Sequence, residues 1–585
     1  MKKGFFNKLL SVLLSAFILL GIVCPSLYQV KALDLNLNDS FLETDTYSDN
    51  QDVSIPFRTG PGGLQGAFYT NGIKYNILNN NEVRVASIDS SLHDIIIPEI
   101  AINEESNHKY NVIIFDNSEY GNKTNVNLNS IVIPKTVKRI DSGAFKNCPN
   151  LKKITVLSEL EEIGNDIFPN TNNLETLETV FENFSFIRQC NPKSLNIINP
   201  TATNIPDFAF KDCSKLESFT IPSSVSSIGI GAFSGCKSLR SINIPDCVSN
   251  IGDKAFYDCT SLKDIIIPNC VAYIGKAAFS NCRSLESINI PNSITKINDS
   301  TFSLCHSLEE IVIPDSVIYI GESAFYDCKN LKYINIPDGI TKIENSLFCQ
   351  CSSLKEIALP NSINEIGENA FYKCSSLYSI ILPKSINKIN PYTFAYTSIE
   401  KIDIPQSVAS IGNGAFEGCA KLKIVNLPLA LKSIGEKTFD SCVSLVSINL
   451  HDSVRNIGDY TFANCDNLDY VQLPETINCI PKGMFFNCKK LYSIRIPNSV
   501  KHIRDLAFYD CRSLGNINLS DNLESIGAKA FCNCNIYSIK LPPLVESIAP
   551  FAFDYDTLIL CRLYSYAEWY AVFYCYDYET YDWYY

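Results

Sequence analysis

The hydrophobic positions of this chain recur every 23 residues over most of its length. With Phe as reference, Phe210, Phe233, Phe256, Phe279, Phe302, Phe325, Phe348, Phe371 and Phe394 follow one another at that interval. A step of 22 leads to Phe416, and steps of 23 run on through Phe439, Phe462, Phe485, Phe508 and Phe531. A last step of 22 ends at Phe553. Phe145 and Phe168 extend the series upstream, before a stretch near 169–205 where the pattern degenerates. Within one unit, from Leu262 to Cys282, alternation about Ile265 and Ile267 predicts a short strand with two inward side chains. Pro268 ends that strand, because it has no N–H for the ladder. Val271 and Ile274 stand three apart and Gly275 supplies a permissive turn. Ala278, Phe279 and Cys282 follow at helix-like spacing. Each unit therefore reads as a strand, a turn and a short helical or irregular return.

One such unit buries too few apolar side chains to offset the entropy of ordering its backbone. Stacking identical units supplies the missing burial, which is the physical basis of a solenoid. Eighteen strands about 4.8 Å apart would form a curved rod with its parallel sheet on one face and the returns on the other.

The unit Leu-x-x-Ile-x-Ile-Pro-x-x-Val-x-x-Ile-Gly-x-x-Ala-Phe-x-x-Cys resembles the 23-residue leucine-rich repeat of bacterial BspA-type surface proteins. The likeness spans residues 128–553. It departs from the general leucine-rich repeat in having Pro after the strand and no Asn in the following turn. The resemblance implies an α/β leucine-rich-repeat solenoid with a continuous parallel β-sheet on the concave face. It also implies an exported protein, in a family where some members are adhesins for host matrix proteins or other bacteria. It transfers no ligand, because the variable positions make the ligand surface.

Composition narrows the function. Hydrophobic residues make up 46% and charged residues 19%, so a large core is available. The 49 basic and 62 acidic side chains leave a net charge of −13, which argues against nucleic acid as partner. Five His (His93, His108, His306, His451 and His502) are scattered, and no Ser/His/Asp set or carboxylate pair stands out. An enzyme is not expected, nor a cofactor. The basic start and the apolar run Leu9–Val23, followed by Val30-Lys31-Ala32, read as a signal peptide over residues 1–32. Removing its four lysines would leave a charge of −17. No later run is long enough to span a bilayer, so a secreted or cell-surface monomer meeting an extracellular protein or glycan is the expectation.

Outside the array, residues 33–65 contain Gly60-Pro61-Gly62-Gly63 and read as a flexible leader. Residues 66–127 read as a β-rich N-terminal cap, with Tyr69–Ile77 and Val83–Ile88 as a hairpin about Asn79-Asn80-Asn81. Residues 554–585 carry ten Tyr and read as an aromatic C-terminal cap closing the last repeat. The alternative is that these rings, with Trp583, stack on sugars.

Fifteen of the 24 Cys share one repeat position, among them Cys236, Cys259, Cys282, Cys305, Cys328 and Cys351. A position repeated in every unit is what a buried small hydrophobe requires, although neighbouring rungs also fall within disulfide reach. Cys247 and Cys270 share a second position one rung apart and form the best candidate bridge. Cys349-x-Cys351 and Cys532-x-Cys534 look like halves of a zinc site, but no second pair lies near in sequence. Gly229-x-Gly231 and Gly412-x-Gly414 begin runs that imitate a dinucleotide fingerprint, each one residue too long and on the repeat's turn.

Strand alternation exposes the residues flanking the second inward side chain. One column carries Asn243, Asn289, Asn335 and Gln472, with Ile266, Val312, Ala358 and Ile381 between them. The column two residues earlier carries Asp264, Glu310, Tyr333, Glu356 and Tyr470, and Arg495 is placed there too. These read either as a solvated sheet face or as a broad docking surface anchored by Tyr and Arg.

Overall fold

A computed structural model describes residues 66–116, 127–146, 148–168, 173–198 and 201–581. The signal peptide and the leader, read over residues 1–32 and 33–65, lie outside the described residues. All described residues belong to one compact unit, 64–585.

Each repeat is a rung with three sides. On the first side short strands pair in parallel, Asp264–Ile265 with Ser287–Ile288 for example. After the proline turn, a second pair of residues forms its own parallel ladder, as Asn250–Ile251 does with Tyr273–Ile274. The third side is not the helical return that its spacing suggests. Every second backbone N–H donates to the next rung instead: Ala277 to Asp299, Phe279 to Thr301 and Asn281 to Ser303, at 2.9, 3.0 and 2.8 Å. Ala277 and Asn281 have φ of 52° and 64°. These left-handed residues, four apart, flatten the chain so that alternate amides point along the solenoid, while those of Ala278, Ser280 and Cys282 bond back three residues as single turns. Only two α-helices occur among the described residues, α1 (Phe184–Cys190) and α2 (Tyr566–Phe573).

Gly275 also has a different reason from the one its sequence context implies. Its φ is not left-handed, but a Cβ there would stand 2.4 Å from the Asp253 amide nitrogen of the preceding rung. Close approach of stacked backbones excludes a side chain at that corner. Gly231 and Gly235, by contrast, do hold left-handed φ of 57° and 78°. They are turn glycines within the run that imitates a dinucleotide fingerprint.

The sheet of first-side strands keeps its register along the array but not its backbone bonding. A nine-stranded run ends at Ser287–Ile288, after which most strands bond only in pairs. The rungs are two or three residues wide and end at Pro, so few ladder donors remain. The stretch whose pattern degenerates holds two registered rungs: Thr176–Thr179 pairs with Lys153–Val156 and with Ser194–Ile197. There α1 replaces the usual turn.

The core lies inside the rungs. From Phe210 to Phe553 every consecutive pair of Phe anchors is stacked, as in Phe279–Phe302 at 5.8 Å and Phe302–Phe325 at 5.6 Å between centroids. These separations exceed the strand spacing of about 4.8 Å, which makes the strand side the concave one. Upstream, Phe115 stacks on Phe145 and Phe145 on Phe168.

Both ends are covered. The stretch Tyr69–Ile77, which reads as one strand, is split by a tight turn at Asn71-Gly72, where both residues have positive φ. The strands Ala67–Thr70, Ile73–Asn79 and Glu82–Ile88 form an antiparallel meander. His108–Phe115 then joins it to the second ladder through Arg139–Ile140. Asp94–Ile96 pairs with Ser130–Ile133 and starts the concave sheet. At the other end Leu558–Arg562 and Tyr578–Tyr581 add two parallel strands. Tyr570 on α2 and Tyr576 meet Phe553 edge-on and close the stack. Trp583 lies outside the described residues.

Candidate docking face and thiol ladder

The thiols line the core. Fourteen Cys of the repeat position have no exposed surface, and none of them is in a disulfide. Each thiol from Cys236 onward donates to the carbonyl of the preceding rung's Phe. Cys236 reaches Phe210, Cys259 Phe233, and Cys282 Phe256, all at 3.2 Å. Cys305, Cys328 and Cys351 do the same to Phe279, Phe302 and Phe325 at 3.3, 3.1 and 3.1 Å. Burial in this apolar channel pushes the thiol of Cys213 up to about 12. Thr397 stands in the gap of the ladder between Cys374 and Cys419 and keeps a contact to Cys419 at 3.3 Å. Cys247 and Cys270 are exposed and free on neighbouring rungs. The Cys247 thiol donates to the Ser223 and Val225 carbonyls at 2.8 and 3.0 Å. Among the described residues no group of three or more His, Cys, Asp or Glu is placed to hold a metal ion.

Alkylation at neutral pH without reductant should therefore label Cys247, Cys270 and Cys575 in the native protein and leave the fourteen fully buried ladder thiols untouched. After denaturation it should label the ladder completely. Mass tags missing from most ladder cysteines in the denatured sample would mean that they are oxidised.

The concave face is built from two columns per rung. Tyr333 and Tyr470 project from the first, with 57% and 56% of their surface exposed; Glu356 stands there too, exposed. Arg495 does not belong to that column. Its strand, Ser493–Arg495, pairs with Asn516–Asn518 so that Arg495 faces Asn518. It therefore extends the Asn column, along with Asn449 and Gln472. The shift is one full side-chain period: counting the strand from Arg495 rather than Ser493 misplaces it by two residues. The Arg495 guanidinium also contacts the Glu475 carboxylate of the preceding rung.

The asparagines of the second column turn back onto the array. Asn289 accepts from the Ile267 amide at 2.7 Å and donates to the Ile267 carbonyl at 2.8 Å. Asn335 does the same to Ile313 at 2.8 and 2.7 Å, and Asn243 accepts from Ile221 at 3.1 Å. Each amide replaces the ladder bonds that the short strand cannot make. The apolar members between them have no such task. Ile266 is 77% exposed, Val312 65% and Ile381 84%. A shallow depression beside Ile266 is lined by Ile265, Ser287, Ile288 and Asn289. From Asn243 to Ala358 apolar side chains and flat amides thus alternate along this face, a relief visible only once the amide bonds are placed.

A stacked array of identical short rungs, covered at both ends and carrying its variable residues on a parallel sheet, is a leucine-rich-repeat solenoid. The BspA-type leucine rich repeat region model matches in six copies, over residues 117–187, 179–309, 295–423, 387–514 and 432–560. The chain belongs to this family. Among solved structures, it is similar to a leucine-rich repeat protein of Bacteroides ovatus, with 24% identity, a TM-score of 0.45, and 85% of this chain and all of that one covered. A leucine rich cell surface protein of Faecalibacterium prausnitzii shows 21% identity and a TM-score of 0.32, covering 83% of this chain and 94% of its own. The T. pallidum leucine rich repeat protein shows 29% identity and a TM-score of 0.24 over 34% of this chain and 77% of its own. No curated protein matches the chain.

Proposed function

We propose that this protein is an exported binding or adhesion protein that docks a macromolecule on its concave face, from host matrix or another cell surface. The observation that carries the reading is the exposure of large side chains the fold does not need. Tyr333, Tyr470, Ile266 and Ile381 all project from the sheet while the core closes without them. Rows of large side chains on one face are where a partner gains most from burial. The family supports a protein-binding role, and no helix of the described residues is long and apolar enough to cross a membrane. A second reading, a structural envelope protein with no specific ligand, draws on the Asn column, whose amides serve the array's own backbone.

Purified protein is expected to bind saturably to at least one member of a panel of immobilised matrix proteins and glycans. No saturable binding across that panel would favour the envelope reading.

A further inference from the structure

Resting on the concave-face reading, we infer that the segment from residue 264 to residue 358 takes a cationic polyproline-II segment of a partner protein, laid along the solenoid axis. The face there repeats every two rungs rather than every one. Asp264 with Ile266, Glu310 with Val312, and Glu356 with Ala358 put a carboxylate and an exposed apolar side chain on alternate rungs. The rungs between offer Ser287 or Tyr333 and an asparagine folded down on the backbone. Two parallel stripes result, one apolar and one acidic, each with a period of two strand spacings, or about 9.6 Å.

That period selects the ligand's backbone. A polyproline-II helix has three residues per turn and a 3.1 Å rise, so the same face returns every 9.3 Å or so. Over the two steps spanned here it drifts by only about 0.6 Å. An extended strand returns the same face every 6.6 Å or so, and an α-helix has a 5.4 Å pitch; neither stays in phase. The flat amides of Asn289 and Asn335 leave the troughs between knobs in which proline rings can lie.

Charge selects the side chains. Among the described residues none of the three carboxylates forms an ion pair. Asp264 accepts from the Ser287 hydroxyl at 2.9 Å and Glu356 from the Tyr378 hydroxyl at 3.1 Å, both neutral donors. Of the neighbouring lysines, Lys263 and Lys332 are engaged with Glu286 and Glu309 at 3.5 and 2.8 Å. Lys355, beside Glu356, is the one cation of the three without a carboxylate partner among the described residues, so the acidic stripe is strongest at Asp264 and Glu310. A basic residue at every third ligand position meets the acidic stripe while proline meets the apolar one.

The test is fluorescence anisotropy on the purified protein with three labelled peptides of equal charge: (Pro-Pro-Lys)5, (Pro-Pro-Pro-Lys)5 and (Gly-Ser-Lys)5. The in-phase peptide is expected to bind at least tenfold more tightly than either of the others. The exposed triple variant Asp264→Asn/Glu310→Gln/Glu356→Gln should lose at least tenfold of that affinity. Absent binding, equal binding of all three peptides, or an unaffected triple variant overturns the inference. The docking reading itself is judged apart from this, by whether a panel ligand binds the same protein.

Discussion

Raising the pH of the reduced protein from 8 to about 10 is expected to unfold the array, well before the titration of its lysines. The cause is the ladder of buried thiols. In the unfolded chain a thiol ionises near 8.5, whereas burial raises Cys148 and Cys213 to about 12 and others of the column, Cys259 and Cys305 among them, well above the ordinary thiol value too. A raised folded value means that the stabilisation is complete below the unfolded thiol's pKa and is lost as pH climbs toward the folded one. One pH unit above the unfolded value each thiol costs about 1.4 kcal/mol. Fourteen of them together cost about 20 kcal/mol, more than the usual 5–15 kcal/mol that holds a domain. Thermal midpoints measured between pH 7 and 10.5 with reductant present should stay level to about 8.5 and then fall steeply. Replacing Cys236, Cys259, Cys282 and Cys305 by Ala should make the fall shallower. An equally steep fall in that variant would locate the effect in other groups.

Truncating one ring at the centre of the stack is expected to have the largest effect of any single substitution. Phe302 has no exposed surface and stacks on Phe279 and Phe325. Phe302→Ala should cost about 3–5 kcal/mol through lost burial and the cavity left behind. In a solenoid each rung contacts only its neighbours, so a weak interface at the middle decouples the two halves. Urea unfolding should then resolve into two transitions where the unmodified protein shows fewer. A single transition with a loss below about 1 kcal/mol would show that neighbouring rungs close the gap.

Much of this architecture is legible in the sequence because repetition multiplies a weak local signal. The Phe period gives the stack directly, and one cysteine position per unit marks a column of the core. The third side of the rung is not legible in the same way. Ala278, Phe279 and Cys282 are spaced as on a helix, and only the bonds from Ala277, Phe279 and Asn281 to the next rung reveal a flat ladder. Those bonds join residues 22 apart, and no local pattern records them. Gly275 likewise looks like a turn residue until the Asp253 backbone is placed against it. On the candidate face, alternation exposes the right columns, yet it cannot say that Asn289 and Asn335 serve the backbone while Ile266 and Val312 stand free. Arg495 stands 23 residues after Gln472, so the repeat period itself assigns it to the Asn column, and placing it with Tyr470 is a slip of two residues.

The most direct test of concave-face docking is a paired affinity measurement with whichever panel ligand binds. Tyr333→Ser/Tyr470→Ser should weaken that binding at least tenfold with an unchanged thermal midpoint. Tyr257→Ser/Tyr273→Ser, on the other two sides of the rung, should leave it as it was. Unchanged affinity in the first pair, or an equal loss in the second, would contradict a site on the concave sheet.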